Sequence, residues 1–273
     1  MWLAYLLGTV LLLYLGAVAT VALMQAKLLF PTTLVGGSAA TLPSSAKRVE
    51  IRTPDDVVLA GVRIDPRDRQ PGDAPLLIGF GGNAWNAEVM ALYLHDLFPE
   101  AAVVAFHYRG YPPSTGRPSA GNLLADALTI FDHLEPQLQQ PAVAVGFSIG
   151  SGPAAYLARH RPVRGMILVT PFDSLKALAQ SHFRWAPVGL LFRHEMAVLE
   201  FVRGQRTPTA MIAAGRDAIV PTDRTEPLRR SVPRLVYDRV IADAGHNDLY
   251  DHPAFRAAMR EALEKVAFPA GEP

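Results

Sequence analysis

Within the 273 residues, the stretch that most restricts the fold is Gly146-Phe147-Ser148-Ile149-Gly150, which reads G-x-S-x-G and follows an apolar run, Pro141 to Val145. Such a run has the length and character of a buried strand. A serine in this frame sits on a sharp strand-to-helix turn, and the flanking glycines are needed because side chains there would collide with the neighbouring strand and helix. Downstream, Gly150 to Ala158 begins with small residues and becomes helix-like. The segment therefore predicts a strand, a tight turn and a helix, with the Ser148 hydroxyl lifted clear of a sheet. Five positions of this kind also arise by chance, so the motif acquires meaning only from the residues downstream of it.

A serine hydroxyl is a weak nucleophile at neutral pH and needs a base to take its proton, and the base needs an acid to orient it. On a sheet built from this unit the acid and then the histidine follow the serine, each after a later strand. Thr209 to Ala214 is an apolar strand candidate followed by Gly215-Arg216-Asp217, and Leu235 to Ile241 is another, followed by Gly245-His246-Asn247-Asp248. Asp217 and His246 are thus the expected acid and base. Taken singly, an Asp after glycine is a common turn former and a His beside glycine a common surface residue; their joint order argues for chemistry. Asp173 and His182 are rival carboxylate and imidazole candidates outside those reserved places. Upstream, Leu76 to Phe80 is a short buried-type strand and Gly81-Gly82-Asn83-Ala84-Trp85-Asn86 its loop. This loop is expected to supply one oxyanion donor, the N–H of Asn83, beside that of Ile149 after the nucleophile. A phosphate-binding loop is the alternative, but neither of its glycine spacings is present.

These segments together resemble the α/β-hydrolases, and within them the membrane-anchored α/β-hydrolase-domain group that includes lipid hydrolases and protein depalmitoylases. The group's F-H-G-N-A-G-N loop is similar to Phe80 to Asn86, with Gly81 for the histidine and Trp85 for a glycine. Its Y-R-G-Y segment is similar to Tyr108 to Ser119, its acid loop to Gly215 to Pro221 and its G-H-N-D to Gly245 to Asp248. The resemblance implies an α/β-hydrolase fold, a mainly parallel sheet with helices on both faces, and no metal or organic cofactor. Two departures carry expectations of their own: Gly81 cannot brace its loop as a histidine would, and Trp85 is expected to narrow the mouth of the site.

The chain suits one α/β domain. Its net charge of +1 gives no electrostatic case for nucleic acid, because Lys and Arg are scattered rather than gathered in a stripe. With no cysteine, disulfides, Cys-ligated zinc and a thiol nucleophile are excluded. His246 and His252 lack the i, i+4 helical spacing of a zinc motif. Residues 1–26 carry no charged side chain, and Trp2 to Met24 is apolar almost throughout, long enough to cross a hydrocarbon core of about 30 Å. This is read as a single-pass membrane anchor of undetermined orientation. The competing reading is a cleaved secretory signal with a site at Ala17-Val18-Ala19; against it, the segment before the apolar run holds no Lys or Arg.

Residues 27–47 read as a linker, 48–273 as the hydrolase domain. Arg48 to Thr53 and Val57 to Ile64 alternate as a hairpin, and from Leu76 strands and helices alternate, among them a strand over Ala102 to Tyr108 and a helix over Gly121 to Leu138. Phe172 to Thr207 offers about thirty-five residues where a crossover needs about a dozen, so a lid is expected over about 173–207, with Phe183, Trp185 and Leu190 to Phe192 lining an acyl pocket or dipping into a bilayer. The expectation is a membrane-anchored serine hydrolase of carboxylic esters or thioesters, its substrate a small-molecule or lipid-like acyl compound. The rival readings are a serine peptidase and a catalytically silent binding scaffold. Nothing in the sequence sets the oligomeric state.

Overall fold

A computed structural model describes residues 1–35, 40–66, 75–138 and 141–268. Its centre is an eight-stranded sheet in the order β1-β2-β4-β3-β5-β6-β7-β8. The strands β1 (Ala46–Arg52) and β2 (Val58–Ile64) form the expected antiparallel hairpin, and β2 lies antiparallel to β4 (Ala102–Phe106). All further neighbours are parallel: β4 with β3 (Leu76–Phe80), then β5 (Val143–Phe147), β6 (Gly165–Val169), β7 (Thr209–Ala214) and β8 (Leu235–Ile241). Every residue of β3 to β7 is buried. That is why these strands read as unbroken apolar runs: both of their faces are covered.

Helices α2 (Ala87–Leu97) and α9 (Pro253–Ala267) cover one face, with Leu94, Phe98, Phe255 and Met259 packed on Val103, Val145 and Ile212. The other face carries α3 (Ala120–Leu134) and α4 (Ser151–His160), whose Leu123, Ile130 and Leu157 meet Ile78, Ala144 and Leu168. The parallel register aligns the carboxyl ends of the central strands, pairing Phe80 with Gly146 and Ala214 with Ile241. Loops leaving those ends share one rim, where ligands of open α/β sheets bind.

Element ends differ from the sequence reading in physically informative ways. The helix expected over Gly121 to Leu138 ends at Leu134 and tightens into a 3₁₀ turn, Glu135–Gln137, at Pro136, a residue that cannot donate to the helical ladder. The strand expected over Ala102 to Tyr108 stops at Phe106, which frees Tyr108 to reach the Gly81 carbonyl beyond β3.

The apolar N-terminal segment is one helix, α1 (Trp2–Leu29), about 42 Å long at 1.5 Å per residue. It runs three residues beyond the expected anchor, and of its residues only Val18 is buried. The segment expected as a linker is not a loose tether, because Phe30 and Val35 are buried in the same cluster as Ile51 and Leu59; residues 36–39 of it lie outside the described residues. Between β6 and β7 the long crossover folds into α5 (Leu175–His182), α6 (Val188–Leu191) and α7 (Val198–Val202). Helix α8 (Thr222–Ser231) then joins β7 to β8.

Candidate active site

Ser148 leaves the end of β5 with φ +52°, a left-handed conformation that costs a non-glycine residue of order 1–3 kcal/mol. The surrounding packing holds it there. A Cβ on Gly146 would stand 2.5 Å from the Gly150 carbonyl oxygen, and one on Gly150 would stand 2.1 Å from the Phe80 carbonyl oxygen. Both glycines are therefore required by close backbone approach, as the motif predicts. A 3₁₀ turn, Ser148–Gly150, leads directly into α4, which places the Ile149 N–H at the positive end of a helix.

His246 Nε2 lies 3.1 Å from Ser148 Oγ, and its Nδ1 lies 2.7 Å from Asp217 Oδ2. Both partner side chains are withdrawn from solvent, Asp217 at 2% and His246 at 8% exposure. A carboxylate only accepts, so Nδ1 carries the proton and Nε2 is left to accept from the serine hydroxyl. The other carboxylate oxygen, Oδ1, accepts from the backbone N–H of Ile219 at 2.9 Å and of Val220 at 2.7 Å. Asp217 is thus fixed at both oxygens. The structure brings together the three side chains expected from the sequence, and it gives the rivals other partners: Asp173 faces Arg224 and the Ser174 N–H, while the His182 ring bonds the Ile219 carbonyl.

The β3–β5 register sets the loop carrying Asn83 beside the Ser148 turn, and Gly82, Asn83, Ser148 and Ile149 line one cavity of about 470 Å³. Its remaining walls include Trp85, Phe172, Leu178, Phe183 and Tyr250. Trp85 does not stand alone at the mouth: its ring packs against Phe147, Tyr250 and Tyr93 at centroid separations of 5.0, 4.9 and 5.8 Å. Burial pushes the Tyr250 phenol up to about 12, so this wall stays uncharged at neutral pH. Among the described residues no group of three or more His, Cys, Asp or Glu is placed to hold a metal.

The support that Gly81 cannot give comes from elsewhere. Tyr108 Oη donates to the Gly81 carbonyl and Tyr111 Oη to the Asn83 carbonyl, both at 2.7 Å. Burial raises both phenols well above their ordinary range, so each remains a donor wherever the site works. Sequence reasoning missed these braces because 27 and 28 residues separate the partners; the Y-R-G-Y frame was the one available signal. Tyr111→Phe is expected to remove a bond worth about 1 kcal/mol and to loosen the oxyanion loop, cutting kcat about tenfold with only a small loss of thermal stability. A kcat within twofold of the parent would show that the loop needs no such brace.

For Asp248 the sequence offers two roles, a cap or turn before Pro253 and the tuning of the loop that holds His246, and the structure selects the second. Asp248 Oδ1 accepts from the Gly245 N–H and so tightens the loop that carries His246, whereas α9 is capped by His252, whose Nδ1 accepts from the Ala254 N–H at 3.2 Å. His252 Nε2 in turn lies 3.2 Å from Asp243.

The sequence profile described as "alpha/beta hydrolase fold" matches residues 76–191. An uncharacterized protein of Mycobacterium tuberculosis is 29% identical over 246 residues, 87% of this chain and 86% of its own. The lysophosphatidylserine lipase ABHD12 of Gallus gallus is 34% identical over 98 residues, covering 34% of this chain and 25% of that protein. Among solved structures, the Pyrococcus furiosus esterase Pf2001 superposes with a TM-score of 0.63 at 20% identity, over 81% of this chain and 92% of the esterase. The strand order, the strained serine turn and these likenesses agree that the chain has the α/β-hydrolase fold.

Proposed function

We propose that the protein is a serine hydrolase that cleaves carboxylic esters or thioesters through an acyl-enzyme. The observation that carries this reading is the pair of bonds linking Ser148 to His246 and His246 to Asp217 at the floor of a largely apolar cavity. Ser148 Oγ attacks the acyl carbon as its proton passes to His246 Nε2, and the resulting imidazolium is stabilised by Asp217. The backbone N–H groups of Asn83 and Ile149 receive the oxyanion. His246 returns the proton to the leaving alkoxide or thiolate, then activates water to release the acid. No step calls on a metal or an organic cofactor.

The apolar walls suit an acyl chain better than a peptide, and the lipase name of the ABHD12 relative supports a lipid-like substrate. The silent-scaffold alternative does not account for a buried Asp217 held at both oxygens and aimed at His246. Turnover of acyl esters and acyl thioesters of graded length by the purified protein tests the reading; hydrolysis of none of them by folded protein contradicts it.

Helix α1 is the membrane anchor in this reading. It is the one described helix long and apolar enough to cross a bilayer. Against a cleaved signal ending at Ala17-Val18-Ala19, the segment before the apolar run holds no Lys or Arg. Deleting residues 1–27 is expected to move the protein from the membrane fraction to the detergent-free soluble fraction while short-ester hydrolysis persists, because every proposed catalytic group lies at or beyond Asn83. Release of the full-length protein from membranes by alkaline carbonate, or a mature product lacking its first nineteen residues by intact mass, would overturn the anchor.

A further inference from the structure

The sequence treats the N-terminal helix as a tether, yet its second half is built into the domain. Tyr14 Oη donates to the Trp185 carbonyl at 3.0 Å, and the two rings meet edge to face. Gln25 holds the insertion at two points, donating from Nε2 to the Leu191 carbonyl and accepting at Oε1 from the Arg193 N–H at 2.8 Å. Between these clamps, Val18, Val21 and Ala22 of α1 face Ala186, Val188 and Phe192 of the insertion across an apolar groove. Among the described residues Gln25 is the sole polar side chain lining it, and its amide is already committed.

Three residues, Leu29, Ala179 and Phe183, line both this groove and the cavity that holds Ser148. Those side chains form a wall common to the two spaces. Resting on the serine-hydrolase reading above, we propose that α1 is part of the acyl site: the chain of the substrate runs from Ser148 past Ala179 and Phe183, and its distal end lies between α1 and the insertion. The groove itself is small, about 70 Å³, which takes the end of an acyl chain and excludes a headgroup. A long chain therefore fills both spaces and a short one fills only the first.

The same contacts fix where the chain comes from. Residues 2–13 of α1, all exposed and preceding the Tyr14 clamp, amount to about 18 Å of helix, which is less than the roughly 30 Å of a bilayer core. A spanning α1 consequently draws the tip of the insertion into the membrane. That tip exposes Leu190 at 88% and Trp185 at 47%. The groove then opens toward hydrocarbon, and its occupant is the acyl chain of a bilayer lipid.

Ala186 lines the groove but not the Ser148 cavity, so Ala186→Phe blocks the distal space selectively. The ratio of kcat/KM for the dodecanoyl against the butanoyl ester of p-nitrophenol is expected to fall at least about tenfold in the full-length detergent-solubilised variant. A ratio within twofold of the parent overturns the proposal. A second measurement needs no variant: a fluorophosphonate bearing a dodecyl chain tipped with a diazirine is reacted with the parent protein, irradiated and mapped by peptide mass. Crosslinks from Ser148-bound probe into Val18 to Leu29 are expected. An adduct on Ser148 that never reaches α1 overturns this proposal alone, whereas no adduct on Ser148 overturns the hydrolase reading and this proposal with it.

Discussion

Ser148→Ala is expected to abolish ester turnover, lowering kcat by about 10⁶-fold as loss of a nucleophile does in serine hydrolases of this type, while the protein keeps its fold. The structure says why the two effects separate. The serine's φ of +52° is imposed by β5, α4 and the close approach of Gly150 to Phe80, none of which involves the hydroxyl. Alanine inherits the same backbone strain, so its melting temperature should match the parent closely. Glycine at the same position removes the penalty for a left-handed residue. Ser148→Gly is therefore expected to be equally inactive but more stable than Ser148→Ala, by about 1 kcal/mol, or a rise of about 2–4 °C in a domain of this size. Thermal melts and ester assays on the two variants decide the matter. Retained turnover in folded Ser148→Ala would sink the nucleophile assignment, and a glycine variant no more stable than alanine would contradict the account of the turn.

Asp217→Asn carries the second largest effect, about ten-thousandfold in kcat, and its cause can be traced atom by atom. Two backbone N–H groups, of Ile219 and Val220, point at Oδ1. An asparagine must keep its carbonyl oxygen under those donors, because turning its amide toward them would oppose donor to donor. The amide then faces His246 Nδ1 and donates to it. That forces the imidazole proton onto Nε2, the nitrogen that has to accept the serine proton, and the base is held in the wrong tautomer. Asp173→Asn and Asp243→Asn should change kcat only a few-fold, since Asp173 pairs with Arg224 and Asp243 with His252. Kinetics of the three variants discriminate among the carboxylates: a ten-thousandfold loss in either control, with Asp217→Asn near the parent, would reassign the acid.

Much of this site was legible in the chain because its logic is local and ordered. A buried parallel strand announces itself as an apolar run, and Ser148 and Asp217 each stand just beyond one, whereas His246 follows the edge strand β8, which is mostly half-buried or exposed. Close backbone approach leaves glycine as its signature, at Gly146 and Gly150. What escaped the sequence are contacts joining distant segments whose own composition is ordinary. A tyrosine in a loop does not say which carbonyl its hydroxyl reaches, so the braces from Tyr108 and Tyr111 to the Asn83 loop appear only in three dimensions. Asp248 has the composition of a cap as well as of a loop brace, and only the structure shows that it serves the loop of His246. The largest omission is α1, because an apolar helix is equally consistent with a free anchor and with one clamped to the domain through Tyr14 and Gln25.

The most direct measurement on the central claim is the labelling of the full-length protein by an alkyl fluorophosphonate, with the adduct located by peptide mass spectrometry. A hydroxyl activated through His246 and Asp217 reacts quickly, and an ordinary serine does not. The account predicts one adduct, on Ser148, formed within minutes and lost in His246→Ala. Labelling of another serine, or labelling of Ser148 at the same rate after His246→Ala, would contradict it.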